Sequence, residues 1–295
     1  MSKSTIFRGA GVAIVTPMNA DGSVNFEKYR ELIDWQIDNG TDAIITCGTT
    51  GESSTLTTEE HVEVIKAAVE QTAGRVPVIA GTGSNDTAFG IELSVEAREL
   101  GCDGLLLVTP YYNKASQRGL IAHFNRIINA AKLPSILYNV PSRTGVNIQP
   151  ATVATLYENP YVCAVKEASG DISQVAKIAA MCDIDIYSGN DDQIVPILSL
   201  GGKGVISVLS NVMPRETHDI CAKWFEGDVK SSSDLQLKLL DLCNNLFIDV
   251  NPIPVKEALN MMGWDVGECR LPLCSMDDAS KEKLFATMKK HGLIG

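Results

Sequence analysis

Eight short apolar runs, separated by segments of helical periodicity, constrain this chain more than anything else in it. They read GVAIV, AIITC, PVIA, GLLLV, SILYN, VCAVK, IDIYS and GVISV, and begin near residues 11, 43, 77, 104, 135, 162, 184 and 204. Between them Phe26, Tyr29, Ile33 and Ile37 step by three or four, as do Val62, Ile65 and Val69. Phe89, Leu93, Ala97 and Leu100 repeat the spacing, as do Leu120, Phe124, Ile127 and Ala131, so each group lines one face of a helix. Thr57-Thr58-Glu59-Glu60 reads as a capping box, and Gly40, Gly74 and Gly101 as helix stops. The segments 149–158, 171–182 and 191–200 are shorter but continue the alternation.

Eight strand–helix units describe a (β/α)8 TIM barrel. A doubly wound sheet would carry a glycine-rich turn after its first strand, and Thr16-Pro17-Met18-Asn19 is not one. From about residue 225 the strand signals stop. Leu235, Leu239, Leu242 and Leu246 predict one long helix, Pro252-Ile253-Pro254 breaks the chain before another, and 277–291 reads as a last one. The expected organisation is a catalytic barrel over 1–224 and a helical C-terminal region over 225–295 packed on it.

Composition narrows the function. A net charge of −11 with no basic stripe argues against a nucleic-acid partner. The N-terminus lacks an apolar signal region, and no run is long enough to span a bilayer, so a cytoplasmic location is expected. Eight cysteines without a CxxC pair and four scattered histidines give no disulfide framework and no metal-ligand spacing. Neither a metal nor a bound cofactor is expected.

In a barrel of this kind the chemistry sits at the C-terminal strand ends. There the sequence places Gly48-Thr49-Thr50-Gly51-Glu52, Gly81-Thr82-Gly83, Thr109-Pro110-Tyr111-Tyr112, Tyr138-Asn139 with Arg143, Lys166, and Ser188-Gly189. Lys166 ends the run Val162-Cys163-Ala164-Val165, which reads as a strand buried on both faces. Burial drives a lysine towards the neutral amine, a nucleophile for carbonyls. From this stretch alone the plainer reading is a strand-end lysine paired with Glu167 or reaching to water. Gly48-Thr49-Thr50-Gly51 is either a tight turn or an anion cradle, but it lacks the lysine of a nucleotide phosphate loop. Taken together, Lys166, a tyrosine on the adjacent strand and the Thr49–Thr50 hydroxyls fill the needs of Schiff-base chemistry on a 2-oxo acid. The competing readings are a barrel isomerase that binds a phosphorylated substrate without covalent chemistry, and a catalytically dead binding protein.

The motifs GTTGESSTL (48–56), TPYYNKASQRGL (109–120), YNVPSRTG (138–145), VKEASGD (165–171), SGND (188–191), GGKGVISV (201–208) and NPIPVKEAL (251–259) resemble the dihydrodipicolinate synthase family, within the N-acetylneuraminate lyase superfamily. The resemblance covers essentially the whole chain. It implies pyruvate held as an imine on Lys166, with no external cofactor, condensing with L-aspartate 4-semialdehyde to give 4-hydroxy-tetrahydrodipicolinate on the way to diaminopimelate and lysine. It further implies Tyr138 as proton donor and acceptor, and Thr49 as a relay towards Tyr112 of a neighbouring subunit. Thr50 would bind the pyruvate carboxylate, Gly189 and Ile206 would line the pocket with backbone atoms, and Arg143 would bind the semialdehyde carboxylate. A homotetramer built as a dimer of dimers, or at least a dimer, is the implied assembly.

Arg143 and GTTGE, where sugar-acid lyases read GSTGE, distinguish this chain from the alternative, a related pyruvate-dependent aldolase of a sugar acid. Lysine-inhibited relatives bind lysine at a subunit interface, matched here by Ser53, Ser54, Leu56, His61, Asn85 and Tyr111. Thr58 replaces their histidine and Phe89 the glutamate that pairs the lysine amine, so feedback by lysine is expected to be weak or absent.

Overall fold

The structure, a computed structural model, describes residues 3–295. Its strands are β1 (Gly9–Ala13), β2 (Ala43–Thr46), β3 (Val78–Gly81), β4 (Gly104–Val108), β5 (Ser135–Asn139), β6 (Val162–Glu167), β7 (Asp185–Ser188) and β8 (Gly204–Ser207). Neighbours pair in parallel, and β8 closes on β1 through Gly9↔Gly204 and Gly11↔Ile206, giving a closed eight-stranded barrel. The helices of the wall are α1 (Phe26–Asp38), α2 (Thr58–Thr72), α3 (Thr87–Glu99), α4 (Gln117–Ala131), α5 (Pro141–Thr144), α6 (Pro150–Tyr157), α7 (Ile172–Met181), α8 (Ile194–Ser199) and α9 (Pro214–Phe225). The predicted capping box opens α2: Thr57 Oγ1 accepts from the Glu60 N–H, and Glu60 Oε2 accepts from the Thr57 N–H.

Side chains alternate across each strand, so every strand feeds two cores. The barrel interior is a narrow column that includes Ala13, Ile45, Ile79, Leu106, Ile136, Tyr138, Ala164, Tyr187 and Ile206. Val12, Ile44, Val78, Leu105, Leu107, Leu137, Val165 and Val205 face outwards, into the larger core beneath the helices. Burying each large aliphatic side chain stabilises the fold by about 1.5–3 kcal/mol. Phe7 stacks on Tyr187 with ring centroids 4.3 Å apart, and the Tyr187 hydroxyl donates to the Phe7 carbonyl, sealing the N-terminal end of the barrel.

The C-terminal region adds α10 (Val229–Lys238), α11 (Leu240–Asn245), α12 (Ile253–Met261) and α13 (Asp278–Lys290). The long helix predicted across Leu235–Leu246 is bent at Leu239 into α10 and α11. The two halves answer to different neighbours. Gln236 on α10 accepts from the Val195 N–H and donates to the Asp191 carbonyl, whereas Asn245 and Asp241 on α11 bond Thr287 and His291 at α13.

Candidate active site

Parallel strands place their C-terminal ends at one mouth, and there a cavity of about 200 Å³ is walled by Thr49, Thr50, Tyr138, Arg143, Lys166, Gly189 and Asn251, among others. Tyr138 and Lys166 are register partners on β5 and β6, so both point into the barrel. The Lys166 ammonium nitrogen lies 4.3 Å from the centroid of the Tyr138 ring. Both residues are buried, at 6% and 7% exposure. Glu167 takes the other face of β6, as alternation requires. Its carboxylate accepts from Asn139 Nδ2, Gln174 Nε2 and the Ser169 N–H at 2.8–3.1 Å. It is therefore not the partner of Lys166.

Gly189 follows β7 and faces Lys166. A Cβ built there would lie 2.6 Å from Ala168 Cβ and 3.1 Å from Lys166 Cε, so only glycine leaves the lysine its place. The loop after β2 is the other wall. Cys47 and Glu52 have φ of 53° and 56°, and Glu52 N–H→Thr49 O and Ser53 N–H→Gly48 O bonds close a compact turn. Left-handed non-glycine residues carry strain of about 1–2 kcal/mol each, and such strain clusters at functional sites. Thr50 is buried, and its Oγ1 accepts from Asn251 Nδ2 at 3.0 Å. Arg143 sits on α5, a short helical turn with no counterpart in the predicted elements, and its guanidinium donates to the Asn251 carbonyl at 3.2 Å.

Two expected residues stand outside this wall. Ile206 is 1% exposed and belongs to the barrel interior, while Val208, two residues later, reaches the cavity. Tyr112, at φ 70°, projects from the loop after β4 with 92% of its surface exposed. Asn251, Asn190, Val208 and Phe247 line the cavity without having been singled out from the sequence. Asn190, Val208 and Asn251 carried a signal only as members of the SGND, GGKGVISV and NPIPVKEAL motifs, and Phe247 carried none.

Electrostatically, the charge of Lys166 is felt by Asp191, buried just beyond β7. Burial pushes its carboxyl upwards, opposed by Ser207, the N–H groups of Leu209 and Val208, and the charge of Lys166. A second cavity lies on the other side of Thr49, lined by Ser53, Ser54, Leu56, Thr58, His61, Phe89 and Tyr111. His61 Nε2 donates to the Gly81 carbonyl at 2.8 Å, and burial lowers its pKa. Among the described residues no three His, Cys, Asp or Glu side chains gather in a metal-binding arrangement.

The family model for the dihydrodipicolinate synthetase family matches residues 6–291. The 4-hydroxy-tetrahydrodipicolinate synthase of Lachnoclostridium phytofermentans is 62% identical over 292 residues, spanning 98% of this chain and 99% of its own. A solved dihydrodipicolinate synthase of Acinetobacter baumannii, complexed with pyruvate, superposes with a TM-score of 0.96 at 42% identity, covering 98% of this chain and 100% of its own. That of Cyanidioschyzon merolae, with lysine bound, gives 0.96 at 41% identity, covering 99% and 100%. With an amine beside a tyrosine at the barrel mouth and a match along nearly its whole length, the chain belongs to the dihydrodipicolinate synthetase family.

Proposed function

We propose that this cavity condenses pyruvate with L-aspartate 4-semialdehyde, with each wall residue in a defined role. The chain is a lyase of the synthase type, working through a lysine imine without an external cofactor. The Lys166 amine adds to the keto carbon of pyruvate, and water leaves as the imine forms. Tyr138 passes the protons that carbinolamine formation and dehydration require. Loss of a methyl proton gives the enamine, which forms the new carbon–carbon bond to the aldehyde. The amino group of the second substrate then closes the ring onto the imine carbon and releases Lys166, giving 4-hydroxy-tetrahydrodipicolinate.

Thr50 and the turn around it hold the pyruvate carboxylate, with Thr49 relaying protons from Tyr138. Gly189 and Ile206 frame the reacting end, Ile206 from the floor. Arg143 takes the carboxylate of the semialdehyde in bidentate fashion, which a sugar-acid aldolase would not need. Tyr112 completes the relay from a second copy, because in its own chain it projects to solvent. A dimer is then the smallest active unit and a homotetramer the expected form, checked by light scattering. Among the described residues no helix is long and apolar enough to cross a membrane. We assign the enzyme to the cytoplasm, with 1–224 as its catalytic unit and 225–295 as the helical region.

The observation that carries this reading is the Lys166 nitrogen 4.3 Å from the Tyr138 ring in a cavity that also holds Arg143. Borohydride reduction with pyruvate should add the mass of a reduced pyruvate imine to the peptide containing Lys166, and Lys166→Ala should abolish it. Unmodified wild-type Lys166 would sink the imine role. Good turnover of a deoxy-sugar acid with poor use of the semialdehyde would sink the choice of second substrate.

A further inference from the structure

Among the ion pairs of the described residues, one has both side chains buried. Lys256 on α12 and Glu52 at the end of the β2 loop meet at 2.8 Å, each side chain 2% exposed. The ammonium has three acceptors: Glu52 Oε1, the Glu268 carbonyl at 2.8 Å and the Thr16 carbonyl at 3.3 Å. Glu52 Oε2 accepts from the Arg270 N–H at 2.9 Å. Thr16 in turn donates its hydroxyl to the Gly51 carbonyl at 2.7 Å. The exit of β1, the β2 loop and two stretches of the C-terminal region thus converge on one nitrogen.

A buried ion pair is a weak source of net stability, since desolvation offsets most of its attraction and an apolar pair of equal size often does as well. What it does supply is a fixed direction. Glu52 is held in a left-handed conformation, and its N–H closes the turn on Thr49 O. Five residues before Lys256, Asn251 holds the Thr50 hydroxyl from the cavity side. The segment 251–256 therefore grips the loop at two points on either side of its donors.

We propose that Lys256 is a positioning residue of the reaction. Acting through Glu52, it fixes the Thr49–Thr50 turn in the geometry that receives the pyruvate carboxylate. This rests on the cradle reading of Thr49 and Thr50 given above. Because neither Lys256 nor Glu52 lines the cavity or bonds Arg143, the loss of the pair falls on the turn and so on pyruvate, and spares the second substrate.

The test is Lys256→Met combined with Glu52→Gln, which removes both charges while keeping both shapes. Pyruvate half-saturation of borohydride trapping, steady-state KM for each substrate and the melting temperature are measured together. The expected result is a folded variant whose pyruvate half-saturation rises about tenfold while the semialdehyde KM stays within twofold. A folded variant with wild-type pyruvate half-saturation, whatever its melting temperature, overturns the proposal. Should the double variant not fold, Glu52→Gln alone removes the charge through which Lys256 acts and keeps its shape. It should raise pyruvate half-saturation about threefold, and an unchanged value overturns the proposal equally. A wild-type chain that traps no pyruvate overturns the cradle reading itself, and this inference with it.

Discussion

Gly189→Ala is the most demanding single substitution for this site, because the new methyl has nowhere to go. Its Cβ would sit 2.6 Å from Ala168 Cβ, about 1 Å inside ordinary contact, and 3.1 Å from Lys166 Cε. Relief must come from the end of β6, which carries Lys166, and from Ala168 just beyond it. Overpacking of this kind costs about 1–3 kcal/mol. For 295 residues an unfolding entropy of roughly 0.6 kcal/mol/K turns that into a fall of about 2–5 °C in Tm. Lys166 must also give by a few tenths of an ångström. If a displacement of about 1 Å costs a hundredfold, this one should slow imine formation about three- to tenfold. Single-turnover borohydride trapping at limiting pyruvate, with thermal melting in parallel, measures both. Gly119→Ala on α4 is the control, since its Cβ meets only ordinary contacts at 3.5 Å and helix propensity favours alanine. Its trapping should be unchanged and its Tm equal or higher. Wild-type trapping and Tm in Gly189→Ala would refute the claim that Gly189 makes room for the lysine.

Other changes separate the remaining roles. Arg143→Ala should raise the KM for the semialdehyde about 10–100-fold, the worth of a charged fork, and leave pyruvate trapping within about threefold. Equal losses would mean that Arg143 only holds Asn251 and the mouth in place. Lysine should inhibit poorly, because the second cavity presents Phe89 and no carboxylate to an ammonium; sub-millimolar inhibition in a steady-state assay would show otherwise. Burial opposes ionisation of Asp241, but Lys290 and His291 pull its carboxyl down to about 2. Because the folded value lies below the unfolded one near ~4, the stabilisation is present above that pH and is lost as pH falls towards 2. Allowing for solvent screening, Asp241→Asn should cost about 1 kcal/mol at pH 7. Its Tm gap to wild type should narrow as pH falls from about 4 towards 2; a gap at pH 2 as wide as that at pH 7 would count against the pairing.

What the sequence disclosed and what it withheld follow from the range of each interaction. Strands announce themselves locally: an apolar run between turn residues is enough, and Lys166 stood out because a charge ended such a run. Alternation alone separated it from Glu167, whose own partners, Asn139, Gln174 and Ser169, lie close by. The capping box of α2 closes within four residues and was equally legible. The bend at Leu239 was not, because leucine spacing runs through it and the cause is Gln236 bonded to Val195 and Asp191. Asn251 and Lys256 were hidden for a related reason: their partners Thr50 and Glu52 lie 201 and 204 residues away. The family likeness named Tyr112, but a single chain leaves it in solvent, since its proposed place depends on a second copy.

The stacked Phe7 and Tyr187 rings make the barrel a cup rather than a tube. Traffic in and out must share one door. Lys166 lies deep in that cup and Arg143 at its exposed rim, so a molecule seated on the arginine stands over the lysine. With the roles proposed for Lys166 and Arg143, the keto acid should enter before the aldehyde, and a stray carboxylate parked at the rim should stall the whole queue. Order of arrival, usually credited to changes of shape on binding, is here a matter of depth.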